Sequence, residues 1–334
     1  MSVIENLLKD RALIDAIIHR CESGHSIPKS IEDQVTAEQV VEFLRLATEQ
    51  GRAAARANFP DKQSDILEKI VEKEGRPAIL IENNTFDSAG TWQRELDAAK
   101  ANLEKAVPAV GRVEMTNHDQ GMIYSGSGWL VAPDVVVTNR HVAEEFSLKS
   151  GSRVTFRVSA TGKKMGAKVD FREENGTDQE EQFDVLDILY LAEPADPDIA
   201  FLKISSKTLR LGVLSNLQGK PISLATTPTT SGRNVAAIGY PSRESATALI
   251  SDADLSKIFG DVYNVKRLQP GKITAVSSKH LTHDCSTLGG NSGSVVIDLN
   301  TGEAVGLHFG GQSLVGNFAI PSQVILDRMR KLGL

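Results

Sequence analysis

Apolar positions along the chain follow two periods, and the change falls near Pro108. Upstream, Ile4, Leu7, Leu8, Ile14, Ile17, Ile18 and Cys21 recur at three- and four-residue steps, the spacing of one helical face. A second helix is predicted from the capping box "TAEQ" (Thr36 to Gln39), carrying Val40, Val41, Phe43, Leu44 and Ala47. A third covers roughly Ser64 to Lys73 and is ended by Gly75 and Pro77. After a short strand, "AILI" (Ala78 to Ile81), a fourth helix aligns Trp92, Leu96, Ala99, Leu103 and Val107 and stops at Pro108. Such stripes are core or docking faces, and the fourth helix is expected to pack on the domain downstream of Pro108.

Beyond Pro108 strand-like runs alternate with Gly, Pro, Asn and Asp: "VGRVEM", "GSGWLVAPDVVVTN", "SRVTFRV", "IAFLKI", "RNVAAIGYP", "GKITAVS", "GSVVIDL" and "EAVGLHF". Many short strands with no helix between them predict an all-β barrel or sandwich. A last helix, "PSQVILDRMRKL" (Pro321 to Leu332), closes the chain. The expected organisation is a helical domain over 1–107 and a mainly β domain over 108–334.

Composition narrows the functions. With 334 residues, 40% of them hydrophobic, the chain can bury a sizeable core. A net charge of −6 argues against nucleic acid as the main partner. Two cysteines, Cys21 and Cys285, make no disulfide framework and no metal-ligand spacing, so a reducing cytoplasmic setting and no metal or cofactor are expected. The start, "MSVIENLLKDRALIDAII", is broken by charges and reads as neither signal peptide nor membrane span. The acidic stretch Asp170 to Asp184, "DFREENGTDQEEQFD", is expected to be a solvated loop.

The chemistry concentrates in "STLGGNSGSVV" (Ser286 to Val296). Glycines, asparagine and serine before a β-branched run form an ordinary turn, or a loop built around a nucleophile. A serine hydroxyl needs a base within reach, and that base needs a third group to fix its tautomer. "VVVTNRHVAEEF" places His141 just after an apolar strand, and "DPDIAFLKI" places Asp198 at the start of another. Singly each is an ordinary turn residue; jointly with Ser292 they supply the three required types. Asp187 and Asp196 are less well placed. A sharp glycine loop also aims backbone N–H groups at a developing oxyanion, and those of Gly290 and Ser292 are the candidates.

"GSGWLVAPDVVVTNRHV", "DIAFLKI" and "GGNSGS" resemble, in the same order, the histidine, aspartate and serine motifs of trypsin-like serine peptidases with the chymotrypsin fold. "AIGYP" resembles the strand that opens their second barrel. The resemblance covers about residues 110 to 330. It implies two six-stranded antiparallel β-barrels, over about 108–215 and 216–320, then the terminal helix 321–332. Asn291 stands where many digestive members carry an aspartate, as in a bacterial, disulfide-free branch. Activation by insertion of a new N-terminus is therefore not expected, and control passes to the helical domain.

Thr287 and the "GLHFGG" stretch carrying His308 resemble the glutamyl endopeptidases, although the intervening hairpin is one residue longer here. That resemblance implies a pocket for a glutamate side chain. Ser286 lies where an acid would favour Lys or Arg, and Phe309, Gly310 and Gly311 would pair with substrate backbone as an added strand. His118, His280 and His283 are expected to be loop residues. The expected function is a serine endopeptidase acting on protein or peptide after Glu, less well after Asp, with Gln accepted. By analogy, residues 1–107 would recruit or be bound by an activating protein in a bacterial defence or signalling system. The alternative is a protease-like scaffold or adaptor with no activity or with activity that depends on a partner. Neither nucleic acid nor membrane is an expected partner.

Overall fold

The computed structural model describes residues 8, 11–22, 35–60, 63, 75–88, 90–151, 153–210, 213–243, 256, 258–312 and 316–334. Helices α1 (Arg11–Glu22), α2 (Ala37–Gln50) and α3 (Arg52–Ala57) gather around their own apolar cluster, which includes Ile14, Ile17, Val40, Phe43 and Leu44. The capping box is present at the start of α2: Gln39 N–H donates to Thr36 Oγ1 while Thr36 N–H donates to Gln39 Oε1. Ile4, Leu7 and the helix expected over Ser64 to Lys73 lie outside the described residues.

From Gly75 onward the chain packs differently. Strand β1 (Ile79–Leu80) pairs with β-barrel residues Arg267 and Leu268, and a turn at Gly90–Trp92 leads into α4 (Gln93–Ala106). The α4 stripe of Leu96, Ala99 and Leu103 joins one continuous core with Trp129, Phe201, Ile238, Leu268 and Leu307. That core is distinct from the cluster under α1 and α2. The apolar stripe of the fourth helix is thus spent on the barrels.

The first barrel closes in the order β2-β3-β4-β9-β8-β7. Its strands are β2 (Val110–Thr116), β3 (Tyr124–Ala132), β4 (Val135–Thr138), β7 (Gly166–Asp170), β8 (Gln182–Leu191) and β9 (Ala200–Ile204). Two side hairpins pair β5 (Ser147–Ser150) with β6 (Arg153–Phe156) and β10 (Lys207–Arg210) with β11 (Val213–Asn216). The second barrel uses β12 (Asn234–Gly239), β13 (Arg267–Val276), β14 (Leu281–His283), β15 (Val295–Asp298), β16 (Ala304–Gln312) and β17 (Gly316–Pro321). It runs β13-β12-β15-β16-β17-β14, and β14 pairs back onto β13 to close the ring. Two closed six-stranded antiparallel barrels followed by α6 (Ser322–Leu332) make the chymotrypsin fold that the motifs predicted.

The acidic stretch departs from expectation. Glu174 is buried where Lys266 reaches in to meet it at 3.1 Å and the carbonyls of Phe171 and Val107 at 2.7 and 3.2 Å. Asp170 is buried with its Oδ1 accepting from the N–H groups of Arg172 and Glu181 at 2.8 and 3.0 Å. A cation paired and hydrogen-bonded this fully lets carboxylates leave water.

Candidate active site

Pairing register brings the first two candidates together. Strand β4 pairs with β9 so that Thr138 faces Ala200. Three residues beyond Thr138, at the start of α5 (Arg140–Glu144), stands His141; two residues before Ala200 stands Asp198. His141 Nδ1 lies 2.6 Å from Asp198 Oδ2, and the His141 N–H donates to Asp198 Oδ1 at 3.1 Å. Asn139 Nδ2 donates to the Asp198 carbonyl at 3.0 Å, and Arg140 Nε stands 3.6 Å from Oδ1. Burial raises the Asp198 carboxyl, but the His141 hydrogen bonds and charge, with Arg140, outweigh it and hold the group below the ordinary carboxylate range.

The Ser292 loop is shaped by close backbone approaches. Gly293 has φ +88°, and a Cβ there would lie 1.9 Å from the Ser127 carbonyl oxygen. Ser127 anchors the loop twice: its N–H donates to Ser292 O at 2.7 Å and its Oγ to Gly290 O at 2.8 Å. Ser294 N–H donates to Asn291 O, and Ser294 Oγ to Asn291 Oδ1 at 3.2 Å, which buries the Asn291 amide. Gly126 sits between the two halves, since a Cβ on it would meet Ser292 O and Val142 Cγ2, both at 2.7 Å. The loop and the residue after His141 are therefore neighbours. Among the described residues, no hydrogen bond joins Ser292 Oγ to His141, and the N–H groups of Gly290 and Ser292 donate to no other group. The first absence is common in ligand-free acyl-transfer sites, where the nucleophile–base bond tightens on binding.

His308, on β16, is buried, and its Nδ1 lies 3.1 Å from His283 Nε2. This corrects the expectation that His283 is a loop residue: it lies on β14, fully buried. Leu281, His283 and Cys285 alternate inward, a period-two signal masked in the sequence by the polar type of His283. Burial drives the His283 imidazole down to about 4, and burial together with His283 and His141 drives His308 well below its usual range. Both rings are neutral at pH 7. Thr287 Oγ1 donates to Asn317 Oδ1 at 2.7 Å, and Asn317 Nδ2 donates to the Cys285 carbonyl at 2.6 Å. The Asn317 amide is thereby fixed and accepts the Thr287 hydroxyl's hydrogen bond, a partner that no motif announced. Phe309 and Gly310 are half-buried and Gly311 is exposed, on the strand that carries His308.

Against known proteins, the model of the trypsin-like peptidase domain matches residues 126–307, more than half of the chain. The chain belongs to that family. The match runs from within β3 to within β16, the strand of His308, and contains all three triad candidates. A protein described as a probable serine protease of Lysobacter enzymogenes is 29% identical over 286 residues, covering 76% of this chain and 72% of that one. A glutamyl endopeptidase of Staphylococcus epidermidis is 26% identical over 244 residues, covering 73% and 70%. Among solved structures, a serine endoprotease of Yersinia pestis has 20% identity and a TM-score of 0.45, over 70% of this chain and 66% of its own. The active form of a Mycobacterium tuberculosis protease has 18% identity and the same TM-score of 0.45, over 71% and 86%. This trypsin-like serine protease thus acts on protein or peptide substrates as its family does. Among the described residues, no helix is long and apolar enough to cross a membrane.

One cluster of described carboxylates has metal-like spacing: Glu114, Asp170 and Glu173 bring oxygens within 4.8 Å of one another. The Arg112 guanidinium already occupies it, with Nη2 at 2.5 Å from Glu114 and 3.2 Å from Glu173.

Proposed function

We propose that the protease hydrolyses peptide bonds through Ser292, with His141 as base and Asp198 as the group that orients it. With Asp198 ionised and accepting at Nδ1, the imidazole keeps its proton there and presents the Nε2 lone pair. Ser292 Oγ attacks the scissile carbonyl while its proton passes to His141 Nε2, and Asp198 stabilises the imidazolium so formed. The N–H groups of Gly290 and Ser292 take the developing oxyanion; a donor of this kind is typically worth about 10²–10³ in turnover. The proton then goes from Nε2 to the leaving amine, leaving an ester on Ser292. Water repeats the sequence and frees the acid.

The bond cut is the one after Glu, with Asp poorer and Gln accepted. What supports this is the His283–His308 pair. His283 Nδ1 is buried without a partner. An unpaired buried N–H is rarer and costlier than an unpaired lone pair, so His283 carries its proton on Nε2 and donates it to His308 Nδ1. His308 is left with an Nε2–H to offer the pocket, a donor for the oxygen of a carboxylate or side-chain amide. Thr287 already donates to Asn317, so its lone pairs suit the NH2 of a Gln side chain, which is why Gln is accepted, and a Glu carboxylate is held by the His308 donor. Phe309, Gly310 and Gly311 would align the substrate as an additional strand. The helical module of α1 to α3, with its separate core, would be the part that recruits a target or takes an activating protein. Its service in bacterial defence or signalling belongs to the same reading.

The observation that carries this function is the bidentate grip of His141 on Asp198 beside the Ser127-anchored Ser292 loop. Its test is a series of peptides differing only in the residue before the cut (Glu, Gln, Asp, Lys, Phe), with Ser292→Ala as control. Serine-dependent cleavage led by Glu is expected. Cleavage led by Lys or Phe would reject the pocket assignment, and silence with every peptide would favour the scaffold reading.

A further inference from the structure

The segment between the helical module and the first barrel places a buried charge against the back of the candidate specificity pocket. Arg76 is 2% exposed, and its side chain grips Asp284 with two prongs: Nε donates to Oδ1 at 2.7 Å and Nη2 to Oδ2 at 2.5 Å. Asp284 Oδ1 also accepts from Lys272 N–H on β13 at 2.7 Å. Trp92 covers the guanidinium, with Arg76 Cζ 5.3 Å from its ring centroid, and Trp92 Nε1 donates to Gly75 O at 2.8 Å. Two residues beyond Asp284, Ser286 Oγ donates to Arg76 O at 2.6 Å.

Side chains alternate along 283–287. Asp284 and Ser286 meet Arg76, whereas His283 holds His308 and Thr287 holds Asn317. An extended segment clasped on its odd face by pocket residues and on its even face by one arginine has its register fixed from both sides. A pair this well desolvated is a weak source of net stability but a strong source of specificity, because every misaligned arrangement leaves a charge buried alone.

We propose that Arg76 is a positioning residue for the specificity pocket: delivered from outside the barrels, it sets the placement of His283 and Thr287 and thereby of His308. This rests on the reading of His308 and Thr287 as pocket residues. A two-pronged arginine fits the role because a lysine keeps the charge without the planar fork.

The test uses the full chain and three variants: Arg76→Lys, Arg76→Met and the double variant Arg76→Met with Asp284→Asn, which leaves no buried charge unpaired. Labelling by a small dialkyl fluorophosphate, which fills no specificity pocket, reports the nucleophile and base. Peptide cleavage reports the pocket. In the double variant, labelling is expected within about threefold of the parent while kcat/KM falls at least about tenfold, mostly through KM. The parent's ratio between its two best residues before the cut should shrink toward one, with Arg76→Lys intermediate. An unchanged KM and an unchanged ratio in the folded double variant overturn the proposal. So does an equal loss of labelling and cleavage, which would make the pair a support of the whole fold. A parent that prefers a residue other than Glu sinks the glutamate reading alone, since the comparison is made on the parent's own preference. If the parent cleaves no peptide, hydrogen exchange decides. Amides at Lys272 and 283–287 should then exchange at least about tenfold faster in the double variant, with β4 and β9 unaltered. Unchanged exchange at those amides overturns the proposal as well.

Discussion

Replacing Asp198 by Asn tests the chemistry with little change of shape. Asp198 serves His141 through both oxygens, Oδ1 accepting the backbone N–H and Oδ2 facing Nδ1 at 2.6 Å. An Asn side chain can keep the first bond with its carbonyl, which turns its NH2 toward Nδ1. Two donors cannot face one another, so the ring must move its proton to Nε2, where the Ser292 proton has to go. A wrong tautomer in a triad of this kind costs about 10⁴ in kcat. That factor equals about 5.4 kcal/mol of transition-state stabilisation. The fold loses far less, because one charge-assisted bond in a half-buried site is worth about 1.5–3 kcal/mol before solvent screening is discounted. Burst titration and steady-state cleavage should show the loss in kcat with KM within a few-fold, and fluorophosphonate labelling should slow in parallel. A folded Asp198→Asn enzyme within about tenfold of the parent would refute the assigned role.

Three further outcomes rest on the same geometry. Gly293→Ala places a Cβ 1.9 Å from the Ser127 carbonyl and forces an L residue to φ +88°, so the thermal midpoint should drop sharply. Overpacking and left-handed strain together suggest a loss of at least about 3 kcal/mol, checked by denaturant unfolding; a loss below about 1 would contradict the packing. Stability should also fall on acidification below the ordinary histidine range. His283 is held down at about 4, so between pH 6.5 and 4 the unfolded chain binds a proton that the folded one refuses. Its contribution is whole above that window and shrinks by about 3 kcal/mol through it. His283→Gln should flatten that limb of a pH–stability curve, and an unaltered limb would argue against a neutral buried ring. Finally, a bound glutamate carboxylate favours one added proton on the His283–His308 pair, which burial otherwise keeps neutral: the His283 Nε2 proton passes to His308 Nδ1 while His283 Nδ1 takes up another, so Glu binding draws in a proton where Gln binding does not. The Glu-to-Gln ratio of kcat/KM should therefore decline from pH 6 to 8, and a flat ratio would place the carboxylate elsewhere.

The parts legible in the sequence were those that a short window fixes. The change from helical to strand period, the Thr36 capping box and the three motifs around His141, Asp198 and Ser292 each depend on a few consecutive residues. What lay hidden depends on distant pairing. His283 looked like a loop residue because a polar type interrupts an inward-facing alternation, and only closure of the second barrel puts His308 against it. Asn317 carries no motif, yet it orients Thr287 from 30 residues away. Arg76 and Asp284, 208 positions apart, carry no motif, and only the folded chain, with β1 paired to β13, brings them together. The acidic stretch misled for the same reason: its buried Glu174 answers to Lys266, 92 positions further along the chain.

The central claim is that Ser292 is the nucleophile and His141 its base. Intact-mass and peptide-mapping mass spectrometry after reaction with a fluorophosphonate measures it most directly. A single adduct on the peptide containing Ser292, lost in Ser292→Ala and strongly slowed in His141→Ala, is the predicted result. An adduct on another residue, or equal labelling with His141 removed, would contradict it.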